Sequence, residues 1–167
     1  TNKTGHRQTV PAFPAMNPTE TSAPIWSDSL LLGHAAIDGE HEQLAELIER
    51  MRCAAAPEMA QALDAVLQHA ASHFAAENEL MRTTAFPPRD CHISEHEAVL
   101  STLRGVRARL ARGEVEVARR VADELAAWFP PHVQHLDSAL THWLCKLQHG
   151  AKPVVLRVGR KPEAALA

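Results

Sequence analysis

The chain has 167 residues, with 17 basic and 20 acidic side chains and a formal charge of −3. That balance excludes a protein that holds nucleic acid mainly by charge. Histidine (11) outnumbers glycine (7), and there is no Tyr. A sheet built on aromatic and β-branched side chains is therefore not expected, whereas the abundant Ala, Leu, Glu and Arg favour helices.

The length fits about one domain. No apolar run approaches the ~18 residues of a membrane helix, and the N-terminal stretch has no apolar signal core. Cys53, Cys91 and Cys145 are odd in number and form no CxxC pair. They argue against a disulfide framework or a thiolate zinc site, and for a reducing cytoplasm.

Residues 1–25 are polar, carry Pro11, Pro14, Pro18 and Pro24, and lack periodicity; they read as a flexible arm. From Ile37 a helical period begins through His41, Leu44, Ile48 and Met51, with Asp38 as candidate cap. Pro57 marks its end or the first turn of the next helix.

The second helix is predicted over about 57–83, with Leu63, Val66, His73, Phe74 and Glu77 on one side; Pro87–Pro88 breaks it. The third runs over about 89–112, with His92, His96, Val99 and Leu103 on one stripe, and Gly113 stops it. The fourth begins near Glu114, carries Val121, Leu125, Trp128, His132 and Leu136, and ends at Gly150. Four amphipathic helices with short connections predict an all-α, antiparallel up-down-up-down four-helix bundle over 26–149. Residues 150–167 form a basic C-terminal tail, with Lys152, Arg157, Arg160 and Lys161 against Glu163.

Five histidines, His41, His73, His92, His96 and His132, fall on the apolar stripes, at least one per helix. A lone inward histidine is more often an ordinary hydrogen-bonded core residue. Five together need partners, and a core of Leu and Val supplies few. A metal would supply them and favours the neutral imidazole.

His73 and Glu77, like His92 and His96, stand one helical turn apart and share a face. His69 also lies one turn before His73, so a His69–His73 pair is an alternative. His132 and Asp137 are five apart, which needs a longer reach or a distortion near Pro130–Pro131. This many imidazoles and carboxylates suit two metals better than one. A nitrogen and oxygen set without thiolate fits iron or another first-row ion, with zinc as competitor. No Glu has a His three positions later, so the Glu-x-x-His pairs of ferritin-like bundles are absent. Neither His41-Glu42 nor His96-Glu97 continues into HExxH.

The elements Trp26, "IDGEHEQL", "HFAAENELM", "HISEHEAVL" and "WFPPHVQHLD" together resemble the hemerythrin family, specifically its single-domain bacterial members, over about 26–147. The resemblance implies a non-haem di-iron centre, hydroxo- or oxo-bridged, with dioxygen as ligand and partner. His92, His96 and His132 would hold one iron and His41 and His73 the other. Glu77 and Asp137 would bridge both. One coordination position would stay open on the iron with fewer histidines. Phe74, Trp128 and Phe129 are expected to line the oxygen pocket and exclude water.

The implied function is oxygen storage, delivery or sensing without turnover. The alternatives are a di-iron enzyme acting on peroxide or nitric oxide, or a metal-storage bundle holding zinc. Two departures from the family pattern stand out. Asn78 occupies a position where a second acid often follows the bridging Glu. Pro130–Pro131 directly precedes His132 and is expected to bend or restart the fourth helix.

Overall fold

The computed structural model describes residues 24–150, and within them the chain is all helical. The expected arm and basic tail otherwise lie outside the described residues. Ile25 already belongs to the core, 8% exposed, and its N–H donates to Glu49 Oε1 at 3.1 Å.

Helix α1 spans Ala35–Cys53. It starts earlier than the apolar period suggests, and its cap is His34, whose Nδ1 accepts the Ile37 N–H at 3.4 Å. Asp38 is not the cap. It sits in the first turn of α1, and its carboxylate reaches back to the N–H groups of Leu32, Gly33 and His34 at 2.8, 3.0 and 3.1 Å. Helical side chains tilt toward the N-terminus, so an acid one turn inside can gather the donors of the entering chain. Gly33, at φ 81°, provides the left-handed residue this loop requires.

Helix α2 spans Met59–Thr83 and α3 spans Arg89–Leu110. Between them Phe86 N–H bonds the carbonyl of Met81 at 2.9 Å and Ala85 N–H that of Arg82 at 3.2 Å. This is a Schellman ending, but its left-handed residue is Ala85, at φ 51°. Phe86 anchors it, 3% exposed. Pro87 and Pro88 lie in the connection. Gly113, at φ 86°, lies in the turn after α3.

Helix α4 spans Val115–His132 and runs unbroken through Pro130 and Pro131. The irregularity falls after the prolines, as a π-helical turn over Val133–Asp137 closed by Ser138 N–H on the carbonyl of Val133. Helix α5, Ser138–His149, continues the same column to Gly150 at φ 65°. The prolines forfeit hydrogen bonds, but their fixed φ is itself helical, so the backbone keeps its course.

Each of α1 to α4 packs mainly on two neighbours around one core, with a smaller diagonal contact between α2 and α4. Asp64 meets Arg107, and Asn78 meets His96, so α2 and α3 run in opposite directions. Arg52–Asp123 and His41–Asp137 show the same for α1 against the fourth column. Among the described residues, no helix is long and apolar enough to cross a membrane.

Candidate metal centre

All seven side chains singled out from the sequence converge in the bundle interior. His41 comes from α1, His73 and Glu77 from α2, and His92 and His96 from α3. His132 closes α4, and Asp137 closes the π turn. Each is at most 3% exposed. Their donor atoms form two overlapping groups: His92, His96 and His132 with Glu77 and Asp137, and His41 and His73 with Glu77.

The carboxylates divide their oxygens between these groups. Glu77 Oε1 faces His41 and His73 at 3.8 and 3.7 Å. Its Oε2 faces His96 and His92 at 3.4 and 4.0 Å. Asp137 Oδ2 lies 3.1 Å from His41 Nε2, while Oδ1 lies 3.0 and 3.3 Å from His92 and His132 Nε2. The π turn makes this possible, because its wider turn carries Asp137 onto the face of His132 where a regular α-helix would swing it past.

Nine buried side-chain atoms of His41, Glu77, His92, His132 and Asp137 have no hydrogen-bond partner. The close nitrogen–oxygen approaches therefore lack hydrogen-bond geometry. His96 and His132 also point Nε2 at Nε2, 3.3 Å apart. Uncompensated buried polar atoms are costly, and lone pairs aimed at one another are relieved by a shared cation. The donor set thus fits metal binding.

Electrostatics agree. Burial, with His41 adding to it, lowers the His73 pKa to about 3. Burial, with His92 adding to it, lowers that of His96 to about 2. Both imidazoles are neutral near pH 7, the form that ligates. Burial and the neighbouring Asp137 charge push Glu77 well above the usual carboxylate range. Burial alone would raise Asp137 too, but contacts with His132, His41 and His92 outweigh it and hold Asp137 well below that range.

Aromatic rings enclose the cluster. Phe74 stacks on His96 with centroids 4.0 Å apart and planes 3° from parallel. Phe129 meets His41 edge-on at 5.7 Å. The Trp128 ring centroid lies 4.3 Å from that of His132, and its Nε1–H donates to Glu95 Oε1 at 2.8 Å. The three expected lining residues thus face different parts of the centre. Phe129 stands by His41, Trp128 by His132, and Phe74 between His73 and His96.

The rival His69 does not join the cluster; its Nε2 lies 3.0 Å from the backbone carbonyl of Glu40. His135 and His142 are exposed. Two outer partners have contacts that the sequence does not specify, although Asn78 already stands out there as a departure from the family pattern. Asn78 Oδ1 lies 2.9 Å from His96 Nδ1, and Glu95 Oε1 lies 3.6 Å from His132 Nδ1. Each meets its histidine across a helix interface.

A helical bundle enclosing two linked groups of buried imidazoles and shared carboxylates defines a metal-binding bundle. Comparison with known proteins specifies which kind. Residues 32–144 match the hemerythrin HHE cation binding domain. A bacteriohemerythrin of Ralstonia nicotianae is 40% identical over 121 residues, covering 72% of this chain and 88% of that one. A bacteriohemerythrin of Stenotrophomonas maltophilia is 27% identical over 69% of this chain and 77% of its own. A myohemerythrin of Sipunculus nudus is 25% identical over 68% and 87%. The chain belongs to the hemerythrin family.

Proposed function

We propose that the chain binds dioxygen reversibly at a di-iron centre, for storage, delivery or sensing. His92, His96 and His132 would hold one iron, His41 and His73 the other, and Glu77 and Asp137 would bridge them. The observation that carries this reading is the division of each carboxylate, one oxygen toward each histidine group. The bound iron pair, in its reduced state, would supply oxidisable metal to which dioxygen can bind.

This chain's residues account for selectivity toward a small gas. The His41–His73 group offers fewer imidazoles than the other, so an incoming ligand is directed to that side. Phe129 and Phe74, each 1% exposed, pack there and exclude water. The chain has no Tyr, so no phenol can donate a proton to the bound ligand, and the hydroxyl of buried Thr141 already donates to the Ser138 carbonyl at 3.0 Å. The absence of a phenol favours binding over turnover of peroxide or nitric oxide.

The test is the spectrum of iron-loaded, reduced protein under anaerobic and then aerobic conditions. A charge-transfer band that appears with oxygen and disappears under vacuum is expected. Two zinc and no iron in protein made in iron-sufficient cells, or a band that never reverses, would overturn the reading.

A further inference from the structure

We propose that Asn78 is a positioning residue for the metal centre: its side-chain carbonyl accepts the Nδ1–H of His96 and so fixes the tautomer that turns Nε2 inward, without adding a negative charge. The inference rests on the metal-site reading above and extends it to a residue outside the ligand set.

The His96 ring is fully buried, and Nε2 points into the cluster, 3.4 Å from Glu77 Oε2 and 3.3 Å from His132 Nε2. A ligating Nε2 must present its lone pair, so the ring proton sits on Nδ1 and needs an acceptor. Asn78 Oδ1 stands 2.9 Å away. Phe74 stacked on the same ring fixes its plane, which leaves rotation about the ring's own axis for Asn78 to settle.

Placement on α2 supports the assignment. Asn is a poor residue for a helix interior, yet Asn78 lies well inside Met59–Thr83. It directly follows Glu77. One residue advances the helix by about 100°, so Glu77 enters the cluster while Asn78 faces α3, which carries His96.

The charge of the acceptor matters. An outer carboxylate makes a ligating imidazole more basic, which favours the more highly charged metal. Asn78 gives direction with no such push. His132 differs, since Glu95 Oε1 lies 3.6 Å from its Nδ1 but is engaged by Trp128 Nε1–H. His96 is thus held by a neutral group.

The test uses the full chain, wild type and the variants Asn78→Ala and the near-isosteric Asn78→Asp. In zinc-loaded protein, proton–nitrogen NMR reads the His96 Nδ1–H directly. Wild type should show a slowly exchanging Nδ1–H, Asn78→Ala should lose it, and Asn78→Asp should retain it shifted downfield. Asn78→Ala should bind zinc roughly 10–100-fold more weakly, with affinity rescued in Asn78→Asp. In iron-loaded protein, Asn78→Asp should lower the reduction potential. If wild type takes up two metals and both variants match it in Nδ1–H exchange, zinc affinity and potential, Asn78 has no positioning role. If wild type takes up no metal, the metal-site reading itself fails.

Discussion

His132 and Asp137 stand five positions apart and still meet, Nε2 to Oδ1, at 3.3 Å. A π turn joins them, and the prolines lie just upstream in regular α-helix. Such turns are rare and recur at functional sites. Here the turn recruits a carboxylate to the face of the preceding histidine.

The prolines should therefore be separable from the site. Pro131 is exposed, and replacing it by Ala restores an N–H one turn from the Ala127 carbonyl. Pro131→Ala is expected to raise stability by about 1–3 kcal/mol and to keep the full metal complement. Urea denaturation and metal analysis measure both. A drop in stability or metal content would mean that the prolines shape the turn.

Ala85 offers a second stability test. At φ 51° it occupies the left-handed position of the α2 ending, where a Cβ costs about 1 kcal/mol. Ala85→Gly is expected to stabilise the chain by up to about that amount, less the entropy Gly adds to the unfolded state. Thermal melts of the two proteins decide it, and a lowered melting temperature would count against the strained ending.

Glu77 bears most directly on the centre, because its two oxygens face different histidine groups. Glu77→Ala should leave fewer than two irons per chain. Retention of both irons with an unchanged oxygen spectrum would show that Glu77 does not bridge.

Removal of metal should expose a pH dependence. His73 and His96 have pKa values of about 3 and about 2 in the fold, against an ordinary 6.5. Below 6.5 the unfolded chain binds more protons at both sites, so their contribution falls as pH drops. Each histidine changes stability by at most about 1.4 kcal/mol per pH unit. Glu77 acts oppositely. Its raised pKa means that its contribution is lost as pH rises above the ordinary 4.5. Between 4.5 and 6.5, two histidines oppose one carboxyl, and the net slope is about that of one histidine. Chelator-treated protein should thus gain stability from pH 5 to 6.5, and Glu77→Gln should steepen the gain. A flat or falling profile in both proteins would contradict this assignment of protons.

Much of this was legible in the sequence. Apolar positions at helical spacing located the four bundle helices, and the one-turn pairs His73–Glu77 and His92–His96 showed which side chains share a face. The order of donors along the chain resembled one family, and comparison with known proteins bears that out. The start of α1 was less legible, because an acid that caps a helix and an acid that gathers the preceding loop look alike in a sequence. Asp38 does the second, and His34 the first.

The sequence by itself determined the inventory: which donors exist, which helix carries each, and which face inward. Helical periodicity encodes direction around one axis, and that is enough for burial. Only the tertiary structure decided how the donors combine. The split of the Glu77 and Asp137 oxygens, the exclusion of His69 and the approach of Asn78 to His96 all depend on how separate helices pack. The α-to-π change after His132 depends on hydrogen bonds exchanged between turns. Periodicity within one helix specifies neither, because contacts between helices are set by the axial offset and rotation that packing selects.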